Sequence, residues 1–143
     1  MMEDKIYSKT LETSNGTAYF HIEAKTNETF LRISWDGFIN EERAKAGLLE
    51  QVEALSETKR LKLLVDNRQQ TGPFPKGIEE WIALELMPKI NRLGQVKAAH
   101  ILSDNVFTEY SAKKLEESSF NDKQNANLEN FASEDEAIQW LIG

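Results

Sequence analysis

Apolar and polar positions alternate over residues 17–24 (TAYFHIEA). Ala18, Phe20, Ile22 and Ala24 fall on one face, and Thr17, Tyr19, His21 and Glu23 on the other. This is the period of two of a half-buried strand. The same period runs through 29–37 (TFLRISWDG), with Leu31, Ile33 and Trp35 on the buried face and Arg32 and Ser34 opposite. A weaker strand is expected at 5–11. Residues 14–16 (SNG) form a hairpin signal, because Asn-Gly tolerates the positive φ a tight turn demands, and KTNE at 25–28 makes the next turn. The first quarter therefore predicts an antiparallel meander.

Beyond Gly37 the period lengthens to that of a helix. Asn40 is the expected N-cap, with Glu41 and Glu42 in the first turn where the helix dipole favours them. Ala44, Leu48, Val52 and Leu55 form one apolar stripe. The run LKLLVD at 61–66 suits a central parallel strand covered on both faces and is expected to end at Asp66. A second helix follows over 77–94, capped by Gly94 and kinked near Pro88, which lacks the N–H a regular helix needs. A buried strand at 96–103, a helix at 104–120 with Ser103 or Asp104 as cap, and a short strand at 126–131 come next. A last helix opens with a Ser133…Glu136 capping box and buries Ala137, Ile138 and Leu141. The order β-β-β-α-β-α-β-α-β-α predicts an α/β fold: a single mixed β-sheet, antiparallel at its N-terminal end and parallel in its core, flanked by about four helices.

Length and composition narrow the function classes. The 143 residues suggest one domain, long enough to bury roughly 68–70% of its unfolded surface. No apolar window reaches the 18 or more residues of a membrane span, and the N-terminus lacks a signal-peptide core, so a cytoplasmic location is expected. With no cysteine there is neither a disulfide nor a thiolate metal ligand. The net charge is −7 and unevenly spread: residues 1–57 carry 6 basic and 11 acidic groups, 58–97 carry 8 and 4, and 98–143 carry 3 and 9. An acidic whole without a clustered basic face disfavours nucleic acid.

Four stretches, LRISWDGFINEERAKAGLL, LKLLVDNRQQTG, WIALELMPKINRLGQVKAAHILSDNVF and FASEDEAIQWL, taken in this order, resemble the SpoIIAA-like branch of the STAS domains, the anti-sigma-factor antagonist fold. The resemblance runs from about residue 17 to the C-terminus. Its markers are Gly37, Asp66, Trp81, Pro88 and the terminal Glu136-Ala137…Trp140-Leu141. It implies a cytoplasmic module with a mixed sheet, without an assigned reaction. By analogy with the CRAL-TRIO lipid-transfer domains to which the branch is compared, it also implies binding of a small apolar or lipid-like ligand. STAS antagonists carry a phosphorylatable Ser or Thr beside an Asp at a strand-to-helix turn. Here Asp66 is followed by Asn67 and Arg68, with no hydroxyl until Thr71, so a phosphorylation switch is not carried over.

The residues themselves offer no catalytic motif: GxxxxGK[ST], GxGxxG, HExxH and GxSxG are all missing. His21 lies on the polar face of a strand, as a solvated residue would. His100 interrupts an apolar strand, which suits a neutral, hydrogen-bonded histidine of the core or of a pocket wall better than a catalytic base. Asp36, Asp66 and Asp104 approach one sheet edge, where three oxygens would suit a hard cation, but turn formation and helix capping account for such residues more simply. No metal or cofactor is expected. Arg68 either pairs with Asp66 or offers its fork of donors to a carboxylate or phosphate headgroup.

The helix at 78–93 is wider in its apolar surface than one sheet face needs. Ile78, Trp81, Ile82, Leu86, Ile90 and Leu93 make a stripe, Leu84 and Met87 add surface away from it, and Phe74 precedes it. A ligand, a second subunit or a neighbouring helix would each account for the excess. The leading expectation is a non-enzymatic module that holds an apolar or amphipathic ligand beneath this helix. Asp66, Arg68, Phe74, Trp81, Leu84, Met87 and His100 would line the site. The alternative is a regulatory interaction domain that docks a protein, or a second copy as a homodimer, through the same surface.

Overall fold

The computed structural model describes residues 5–109 and 127–143. A six-stranded sheet runs in sequence order, from β1 (Lys5–Glu12) and β2 (Ala18–Lys25) through β3 (Leu31–Gly37), β4 (Lys62–Gln70) and β5 (Lys97–Ile101) to β6 (Leu128–Phe131). The first two pairings are antiparallel and the remaining three parallel. This is the mixed sheet expected, and the hairpin turn at Gly16 adopts a positive φ of 86°.

Helix α1 (Glu41–Thr58) joins β3 to β4. It is capped as expected by Asn40, whose side chain accepts the Arg43 N–H at 2.9 Å. Its buried face comprises Ala44, Gly47, Leu48, Gln51, Ala54 and Leu55. Val52, expected in this stripe, is only partly buried and packs at the margin of the core. Between β4 and β5 runs a helical segment, here α2, built of Ile78–Trp81, a π-helical turn Ile82–Leu86 and Met87–Leu93. Pro88 has no N–H for the Leu84 carbonyl, and the chain answers with a wider turn in which Met87 N–H reaches Ile82 O, five residues back.

Residues 104–109 begin α3, with Phe107 N–H donating to Ser103 O. The expected continuation to residue 120 lies outside the described residues, as does the expected start of β6 at residue 126. Helix α4 (Glu134–Ile142) opens on Ser133, whose hydroxyl accepts the Glu136 N–H at 3.4 Å.

One departure bears on the site. Strand β4 does not stop at Asp66 but continues to Gln70, because main-chain pairing with β3 does not depend on apolar side chains. Asp36 and Gly37 still oppose Gln69 and Gln70, and Thr71 N–H reaches Gly37 O at 2.8 Å. The register slips between Ser34/Asp66 and Asp36/Gln69, which leaves one extra residue on β4, a β-bulge.

Apolar residues fill both faces of the sheet. On one face Phe20, Ile22, Leu31, Ile33, Trp35, Leu63 and Val65 pack against α1 and α2. On the other, Leu64, Ala99 and Ile101 pack against Ala137 and Leu141 of α4. Helix α4 leans on β4, β5 and β6, and the same face of β2 and β3 carries His21, Glu23, Arg32 and Ser34 beside it.

Candidate functional site

Register decides which of the expected site residues meet. His100 stands opposite Val65 and Asp66 opposite Ile101. Partners in adjacent strands share a face while successive residues alternate, so His100 lies on the α1/α2 face and Asp66 on the α4 face. Arg68 follows Asp66: its Nε and Nη2 donate to the two carboxylate oxygens at 3.0 and 2.8 Å, and its backbone N–H adds a third bond at 3.0 Å. Arg68 and His100 are therefore separated by the sheet. They do not orient one ligand together beneath α2.

On the α1/α2 face, Phe74 meets Trp35 edge-on at 5.1 Å, and Trp35 meets Phe20 at 4.6 Å. Phe74, Trp81 and Ile82 pack onto the main core. Lys45 of α1 sits 5.6 Å over the Trp81 ring. Leu84 and Met87, by contrast, point outward, with 66% and 39% of their surface exposed. Of the four apolar residues expected to line a pocket under α2, Phe74 and Trp81 are partly buried against the core and Leu84 and Met87 are on the surface.

His100 belongs to a directional polar chain. Gly72 O can only accept, so Gln70 uses its Nε2 to donate there at 3.1 Å and its Oε1 to accept from Asn67 Nδ2 at 3.0 Å. Asn67 Oδ1 is then the acceptor facing His100 Nδ1 at 3.0 Å, which assigns the proton to Nδ1 and the lone pair to Nε2. Burial pushes the His100 pKa down to about 4, so the ring is neutral at neutral pH. The chain ties β5 through β4 to the loop that delivers Phe74.

The α4 face holds a cleft of about 260 Å³, lined by His21, Glu23, Arg32, Ser34, Asp66 and Glu134 among others. Arg32 donates through Nε and Nη2 to Glu28, the shortest contact being 2.6 Å. These bonds raise its pKa above the ordinary guanidinium value. Burial alone would raise the Asp66 pKa, but the bonds from Arg68 outweigh it and the carboxyl lies below its ordinary value. Glu23 is lowered in the same way, against burial, by His21 and Lys5 at 2.8 and 3.2 Å. Both arginines approach Glu134 Oε1, Arg32 Nη1 at 3.6 Å and Arg68 Nη2 at 4.0 Å.

The sequence reading left Arg32, Ser34 and Glu134 out of the candidate site. The polar parity of Arg32 and Ser34 was visible, but their meeting with Asp66 follows from the β3–β4 register. Asp36, Asp66 and Asp104 form no group able to hold a metal ion among the described residues.

No family model matches this chain, and no curated protein does so with significance. Two solved structures share its fold at a TM-score of 0.54. One is a protein of the DUF3478 family with a SpoIIAA-like fold from Shewanella loihica PV-4, 17% identical over 85% of this chain and 91% of that one. The other is the anti-sigma factor antagonist SpoIIAA in its unphosphorylated form, 12% identical over 87% of this chain and 98% of that one. The fold is SpoIIAA/STAS-like, as the sequence resemblance implies. Among the described residues no helix is long and apolar enough to cross a membrane.

Proposed function

We propose that this protein is a non-catalytic regulatory interaction module that docks a protein partner through the outer face of α2. The observation that carries the reading is the exposure of Leu84 and Met87, one turn apart and facing away from the core. Leu84 lies within the π-helical turn and Met87 directly follows it, and such turns recur at functional sites. Glu80, one turn before Leu84, and Glu85 are also exposed. Lys89 and Arg92 of the same segment are exposed as well, so the rim carries both signs and suits a partner whose apolar patch is bordered by complementary charges. The fold likeness to an anti-sigma factor antagonist supports a role in protein–protein regulation.

Leu84→Glu with Met87→Glu tests this. The double variant should keep the wild-type circular dichroism and melting temperature, because neither side chain is in the core, and should lose the partner that wild type co-purifies with. Light scattering of wild type separates the homodimer: a dimer dissolved by the same pair would replace the hetero-docking reading. A double variant that behaves as wild type in both assays sinks the assignment of this surface.

A further inference from the structure

The cleft on the α4 face lies across the sheet from α2 and does not depend on the docking reading. Arg32 lines it, and Arg68 stands at its rim, bonded to the lining Asp66. Each guanidinium is fixed on one side by its own carboxylate, Arg32 by Glu28 and Arg68 by Asp66. Among the described residues, Nη1 of either arginine makes no hydrogen bond. The carboxylates act as clamps that orient the forks, so that the unbonded Nη1 of Arg32 and the Asp66-bonded Nη2 of Arg68 are the nitrogens nearest Glu134. Glu134 Oε1 sits between them at 3.6 and 4.0 Å, beyond hydrogen-bond length to either. It is 42% exposed by its side chain and belongs to the first turn of α4, so it is free to swing away. The Ser34 hydroxyl also lines the cleft and makes no hydrogen bond among the described residues.

We propose that this cleft binds a small phosphate-type oxyanion, with Glu134 as its resident competitor. The anion takes the place of Glu134 Oε1 and accepts from Arg32, Arg68 and Ser34. A planar carboxylate with two oxygens satisfies one fork, whereas a tetrahedral anion has oxygens for both forks and for the hydroxyl. The cleft volume of about 260 Å³ falls below the range for drug-sized ligands, which fits an inorganic phosphate or a small phosphate monoester. Glu23, Asp66 and Glu134 line the cleft beside Lys25 and Arg32, and Glu28 holds Arg32, so the cationic charges are offset and recognition rests on donor geometry. Weak binding follows.

The test is a titration with inorganic phosphate at constant ionic strength, read by NMR at the Arg32 and Arg68 side-chain Nε–H and the Ser34 amide. Wild type should show saturable shifts at all three. Glu134→Gln should tighten binding about tenfold, equivalent to about 1.4 kcal/mol, and Arg68→Met should abolish saturation. Acetate at the same concentration should shift these signals without saturating. The proposal is overturned if phosphate gives no saturable shift in wild type or in Glu134→Gln, if Arg68→Met binds as wild type does, or if acetate binds as tightly as phosphate. Because Arg68 and Glu134 are exposed rather than core, folding is retained, and an unchanged amide fingerprint in each variant verifies it.

Discussion

Gly47 faces Trp35 across so small a gap that a Cβ there would lie 2.3 Å from the indole Cη2, with Phe20 Cδ1 at 2.9 Å. The glycine is in mid-helix, where alanine would ordinarily be better by about 1 kcal/mol. Close approach of α1 to the sheet is the reason alanine is not there. Trp35 is buried and wedged between Phe20 and Phe74, so its ring has nowhere to yield. Gly47→Ala should therefore destabilise, by about 1 kcal/mol net, since overpacking typically costs 1–3 kcal/mol and the helix gains about 1 kcal/mol from alanine. Urea denaturation of Gly47→Ala, Trp35→Phe and the double variant measures it. Removing the indole should reduce the cost of the alanine, with the Phe20 contact at 2.9 Å remaining, and equal, additive losses would contradict the contact.

His100 predicts a pH dependence of stability. Its folded pKa, about 4, lies below the unfolded value of 6.5, so the unfolded chain binds the extra proton between those values. The contribution of the neutral ring is complete above about pH 6.5 and is lost as pH falls toward 4. The full swing is on the order of 3 kcal/mol. Below that window Asp66 and Glu23, whose pKa values are depressed, lose their own contributions as they protonate. Denaturation midpoints from pH 7 to pH 4 should fall more steeply in wild type than in His100→Gln. Identical slopes would remove His100 as the cause.

Lys97 supplies a cation that α4 lacks. No basic residue lies in the last turn of that helix, but Lys97 Nζ of β5 donates to Trp140 O at 2.6 Å and lies 4.2 Å from the Trp140 ring centroid. A cation at a helix C-terminus and a charge-assisted bond to its carbonyl both stabilise it. Lys97→Met keeps the apolar stem and removes the charge. It should cost about 1–2 kcal/mol and raise hydrogen exchange selectively at the C-terminal amides of α4. Exchange that rises uniformly over the sheet would point to a general packing loss instead.

Much of this architecture was readable along the chain, because strand and helix periods are local properties. Alternation marked β2 and β3, Asn40 and Ser133 marked the helix starts, and Pro88 marked a break in α2. Tertiary structure decided what periodicity cannot express. Backbone pairing with β3 carried β4 past its apolar run to Gln70 and added the bulge. The proline became a π-helical turn. Above all, the sequence groups Asp66, Arg68 and His100 in one candidate site without saying which face of the sheet each takes. A one-residue step along a strand reverses the face, and only the register across β3, β4 and β5 settles it. That register sends His100 to the α2 side and brings Arg68 together with Arg32 and Glu134, residues far apart in sequence that no local pattern connects.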